Sequence, residues 1–158
     1  MMIEKTLLRV VAKLLIPFII LFALYVQFHG DFGPGGGFQA GVILAVAFIL
    51  YALIFGVRVA RRAIPAAVSR SLLSLGVLIY GGTGVVAMLM GGEYLDYAFL
   101  ASTPLGGQHL GIFAVEFGVG MTVAGAMITI FYTFAGHTNT DLPFRKGDRK
   151  HPGEAGGR

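Results

Sequence analysis

Residues 110–134 read LGIFAVEFGVGMTVAGAMITIFYTF and carry a single charge, Glu116. A helix of that length, at about 1.5 Å per residue, reaches past the roughly 30 Å of hydrocarbon in a bilayer. Lipid offers no partner for a backbone N–H or C=O, so the segment must satisfy its own groups as a helix. Working back along the chain, residues 7–28, 38–57 and 71–90 repeat the pattern, the first being free of charge from Leu14 onward. Alternating apolar and polar barrel strands are not seen. The expected fold is an all-α integral membrane protein with four transmembrane helices.

Composition agrees. Of 158 residues, 56% are hydrophobic and 13% charged, and the mean hydropathy is +0.78. A soluble domain carries about 25% charge, so an ordinary soluble globule and a disordered chain are both excluded. The chain has no cysteine, which leaves no disulfide framework, Cys-ligated metal or thiol redox chemistry. Tryptophan is absent too, so aromatic anchoring at the interface falls to Tyr and Phe, as in Tyr94 and Tyr97.

The 12 basic residues are distributed on one side. Lys5, Arg9 and Lys13 open the first span. Arg58, Arg61, Arg62 and Arg70 lie between the second and third. Arg145, Lys146, Arg149, Lys150 and Arg158 follow the fourth. None falls in the other two loops, so the positive-inside rule places both termini and the middle loop in the cytoplasm. The net charge of +4 is thus chiefly a topology signal. Binding to anionic headgroups is secondary, and no folded basic domain remains to hold nucleic acid. The N-terminus reads as a retained helix, because no small-x-small cleavage site follows it; Pro17 is expected to kink it. Pro65 breaks the short linker 58–70. Residues 1–136 form the membrane domain and residues 137–158 a polar cytoplasmic tail.

The densest motif is His29-Gly-Asp31-Phe-Gly33-Pro34-Gly35-Gly36-Gly37-Phe-Gln39-Ala40-Gly41. Its Gly35-x-Gly37-x-x-Ala40 matches a dinucleotide fingerprint only formally, since no βαβ unit surrounds it. One reading is a tight outer hairpin whose glycines adopt positive φ and let helices meet closely, with Gly37-x-x-x-Gly41 continuing a small-residue face. The other is a re-entrant backbone lining a polar cavity.

The run Gly33-Pro34-Gly35-Gly36-Gly37-Phe38-Gln39-Ala40-Gly41 resembles the loop between the first two helices of the B subunit of multisubunit Mrp/Mnh cation/proton antiporters. A second match, Gly107-Gln108-His109-Leu110-Gly111 followed by Val115-Glu116-Phe117-Gly118-Val119-Gly120-Met121-Thr122, resembles the start of that family's last helix. The resemblance covers about residues 7–134. It implies a B subunit of a multisubunit Na+/H+ antiporter, with Na+ and H+ as the ions of the complex, other membrane subunits as partners, and no cofactor. Such a chain would support assembly and could line a cation or proton route. Two rivals remain: a membrane-arm subunit of a hydrogenase-like or quinone-oxidoreductase-like redox complex, and a self-assembled small channel.

Glu116 is the one carboxylate within the spans, about 9 Å below the start of residues 110–134, and an intramembrane acid is a functional-site hypothesis by default. His109 lies seven residues earlier, on the same helical face. The pair could relay a proton through intervening groups; alternatively, a protonated Glu116 pins the glycine loop or a neighbouring helix. The outer-side groups His29, Asp31, Glu93, Asp96 and His109 read as solvated loop polarity. Two imidazoles on distant segments make no metal site, and Ser69, Ser71 and Ser74 lack a convergent His and acid. Small residues stripe the third and fourth spans, more than four helices alone can bury, which asks for partner helices.

Overall fold

A computed structural model describes residues 2–30 and 35–137. Gly33, Pro34, Asp31 and the tail from residue 138 lie outside the described residues. The elements are α1 (Met2–His29), α2 (Gly37–Phe55), α3 (Val57–Ala63), α4 (Ala66–Leu89) and α5 (Pro104–His137), with one 3-10 turn at Tyr97–Leu100. No strand occurs among the described residues. Four helices, α1, α2, α4 and α5, are long and apolar enough to cross a membrane, so the chain is an all-α, multi-pass membrane protein.

Several boundaries differ from the sequence reading: α1 begins at Met2 rather than near residue 7, α2 ends at Phe55 rather than 57, and α4 begins at Ala66 rather than 71. Helix α5 begins at Pro104 rather than near residue 110. Thr103 Oγ1 accepts the Gly106 N–H at 3.3 Å, and proline occupies the first helical position, where its missing N–H costs nothing. The apolar span therefore starts two turns inside a longer helix. The linker between α2 and α4 is also more ordered than a proline-broken loop. Gly56, at φ 95°, turns the chain out of α2, seven residues form α3, and Pro65 caps α4. Helix α1 runs through Pro17 as one helix.

The four long helices pack in the order α1, α2, α5, α4. They form a row with α5 between α2 and α4. Lipid tails are as apolar as the side chains, so close backbone approach, rather than water exclusion, holds such helices together. A Cβ on Gly41 of α2 would stand 2.6 Å from the Gly120 carbonyl oxygen of α5. One on Gly118 of α5 would stand 2.8 Å from the Gly76 oxygen of α4, and one on Gly125 2.7 Å from the Ser69 oxygen. Helix α5 thus turns Glu116 and Gly120, four apart, toward α2, and Gly118 and Gly125, seven apart, toward α4.

Each end of the row is tied. At the basic end, the Tyr132 hydroxyl donates to the Ile64 carbonyl (2.8 Å) and Arg61 Nη2 donates to the Tyr132 carbonyl (3.1 Å). Ser69, fully buried, donates to the Ala66 carbonyl and lies 3.1 Å from the Thr129 hydroxyl. At the opposite end the Tyr94 ring packs on Gly84 and the Tyr97 ring on Gly111. These two tyrosines, read from sequence as interfacial anchors, fill glycine seats. Burial, and to a lesser degree Tyr80 and Tyr94, push the Tyr97 phenol above its usual 10.0.

Candidate functional site

The site is built where α1 ends and α2 begins. The main chain of Gly36 is at φ 118°, a left-handed conformation that glycine adopts without a Cβ penalty. Its N–H donates back to the Val26 carbonyl (3.3 Å), and its own carbonyl accepts from Ala40 (3.1 Å) to start α2. Glycine brings no side chain to cap the helix, and no side-chain hydrogen bond fills that place from Gly36. The first N–H groups of any helix lack internal partners and carry partial positive charge.

Glu116 of α5 lies against that amino end. A Cβ on Gly36 would stand 3.0 Å from Glu116 Oε1, and one on Gly30 2.8 Å from the same oxygen and closer still to Oε2. A Cβ on Gly37 would overlap the Glu116 backbone carbonyl oxygen. Three glycines from two segments therefore shape one seat, with Gly30 and Gly36 against the carboxyl group and Gly37 against the main chain. Of the loop-motif residues singled out in the sequence, the structure brings Gly36, Gly37 and Gly41 onto α5. Gly35 packs instead on α1, where a Cβ would stand 2.9 Å from the Val26 oxygen.

His109 sits on the same helix seven residues earlier, about 10 Å along the axis, and is exposed. His29, at the end of α1, stacks on Tyr25 with centroids 5.1 Å apart. Gly107 and Gly111, which flank His109 in the second motif, receive the 3-10 turn: Gly107 meets the Ala98 carbonyl oxygen and Gly111 the Tyr97 ring. Among the described residues no group of three or more His, Cys, Asp or Glu side chains gathers as metal ligands would.

One polar group escaped the sequence reading. Gln27 is only 7% exposed, its Nε2 has no hydrogen-bond partner among the described residues, and a Cβ on Gly120 would stand 2.7 Å from its Oε1. It lines a small cleft of about 100 Å³ with Gly41, Gly120 and Met121. The signal was available: Gln27 is the lone amide side chain in residues 7–28.

Residues 7–129 match the family described as a domain related to the MnhB subunit of Na+/H+ antiporters. The chain belongs to this family. Proteins of Staphylococcus aureus strains Newman, JH1 and COL that carry the provisional name antiporter subunit mnhB2 are 33% identical to it over 132 residues, covering 82% of this chain and 93% of theirs. The match takes in both glycine motifs and Glu116, and it stops short of the basic tail. The MnhB-type chain is accordingly a subunit of a multisubunit Na+/H+ antiporter, a multi-pass component of the cell membrane whose function is transport. Neither the redox-complex reading nor the small-channel reading is favoured by these relationships.

Proposed function

We propose that, within its antiporter complex, this MnhB-type chain acts as a scaffold whose central joint is Glu116 held in the glycine seat. The observation that carries this reading is the approach of Gly30, Gly36 and Gly37 to one residue of α5. A carboxyl group at the amino end of α2 supplies from a neighbouring helix the acceptor that a capping side chain would supply locally. It fixes α1, α2 and α5 relative to one another. The remaining faces of the four helices are apolar, and at most 33% of any span's best window is buried within the chain. Those faces suit lipid and the helices of partner subunits. The subunit performs no chemistry of its own. The complex exchanges Na+ for H+, and the chain sits with both termini in the cytoplasm, as the one-sided basic residues indicate.

A second reading keeps Glu116 as a proton- or cation-carrying group with His109 above it. Their spacing of seven residues on one helical face favours it. One experiment tests the scaffold reading by itself. Glu116→Ala and Glu116→Gln complexes are purified and assembly is quantified on native gels. The scaffold reading expects Ala to lower assembly, by leaving seat groups unsatisfied at a cost of about 1–3 kcal/mol. Gln, of similar size and still an acceptor, should assemble nearly as the wild type does. Full assembly of Glu116→Ala would contradict the scaffold reading.

A further inference from the structure

At the basic end, α3 and the last turn of α5 enclose a cleft of about 550 Å³, lined by Phe55, Val57, Arg58, Arg61, Arg62 and Gly136 among others. Its three arginines are not equivalent. Arg61 is committed: it donates to the Tyr132 carbonyl and lies over the Tyr132 ring at 5.2 Å. Arg58 and Arg62, four residues apart on α3, share one face. Both are exposed, and among the described residues no acidic side chain lines the cleft. Lys13 adds a fourth cation nearby, 6.0 Å from the Phe55 ring centroid.

Two features say what this cleft would take. The first is charge. The segment that follows α5, residues 138–158, holds Arg145, Lys146, Arg149, Lys150 and Arg158 against Asp141, Asp148 and Glu154. The chain's own tail thus carries a net positive charge, so taken as a whole it does not neutralise the arginines, and an anion from outside the chain would complement them. The second is the apolar wall. Phe55, Val57 and Val59 stand beside the guanidinium groups, an arrangement that matches a molecule with an anionic head and a hydrocarbon body. Basic pockets between membrane helices recognise anionic lipid headgroups through charge-assisted hydrogen bonds to phosphate.

We propose that the cleft between α3 and the end of α5 binds the phosphodiester headgroup of an anionic membrane phospholipid, with Arg58 and Arg62 as its ligands and Arg61 as the tie that fixes α3. The site is independent of the role of Glu116. The test uses the intact complex containing the full chain. It is relipidated with phosphatidylcholine containing about one part in five of phosphatidylglycerol, and retained lipid is counted by native mass spectrometry per assembled complex. The wild type should retain phosphatidylglycerol in preference to phosphatidylcholine. Arg58→Gln/Arg62→Gln should lose that preference about tenfold, Arg58→Lys/Arg62→Lys should keep most of it, and Arg70→Gln, outside the cleft, should leave it unchanged. Lack of preference in the wild type would overturn the proposal, and so would equal retention by the double Gln variant. Displacement of the lipid by millimolar inorganic phosphate would overturn the lipid assignment and make the site one for soluble phosphate.

Discussion

Gly37 of α2 lies so close to the Glu116 main chain of α5 that a Cβ at residue 37 would overlap the Glu116 carbonyl oxygen. The contact is backbone on backbone, so no rotamer change can relieve it. Gly37→Ala should therefore push α2 off α5, an overpacking cost of about 1–3 kcal/mol, and Gly37→Val should cost more. The effect would be read as lost complex on native gels. Gly81→Ala and Gly82→Ala are the matched controls. Both glycines are helical and have nothing of this chain's described residues within 4 Å of a new Cβ, so those variants should leave the packing of the chain's own helices intact, read as a wild-type thermal midpoint of the isolated subunit in detergent, whereas Gly37→Ala should lower it. Equal behaviour of all four variants would remove the packing argument.

The Tyr132 hydroxyl joins α5 to the linker ahead of α4 through Ile64. Tyr132→Phe removes that bond and leaves the ring in place. The expected loss is about 1 kcal/mol, measured as a lower midpoint of thermal aggregation in detergent. An unchanged midpoint would show that the bond adds nothing.

Tyr97 predicts a pH dependence. Its phenol is raised above 10.0, first by burial. A raised value means that the folded loop favours the neutral phenol. The stabilisation is complete below the unfolded value near 10 and is lost as pH climbs through the folded one. Ultraviolet titration of the complex should show a tyrosinate component above pH 10 that disappears in Tyr97→Phe. An identical titration curve for that variant would refute the assignment.

Orientation follows from the basic residues. A cytoplasm-active reporter fused after Arg158 should be active, and the same reporter inserted at the exposed turn beside Gly91 should be silent. Reversal at either point would invert the topology.

Much of this was legible in the sequence, for reasons that differ by element. Long uncharged runs announce spanning helices because lipid permits little else, and residues 38–57 and 71–90 needed only that rule. The start of α5 was missed because hydropathy weighed more than Thr103-Pro104, a cap signal lying outside the apolar run. Helix α3 was missed because Pro65 was read as breaking the whole linker, whereas it only opens α4. Glu116 stood out as the lone acid in a span, and the glycine run stood out by composition. That the two meet could not be read from either segment, since their contact joins residues about eighty apart in the chain. Gln27 was passed over because an amide near a helix end looks like ordinary interfacial polarity, and its burial depends on α2 and α5 closing over it.

The most direct test of Glu116 as a structural joint is cation-dependent proton flux in vesicles, measured across a pH series and normalised to assembled complex, for Glu116→Gln. Gln fills the seat and accepts hydrogen bonds but cannot ionise. The expected result is near wild-type flux at every pH, with His109→Ala leaving the pH profile in place. Loss of flux from a fully assembled Glu116→Gln complex, together with a shifted pH profile in His109→Ala, would contradict the scaffold account and make the two residues parts of the ion path.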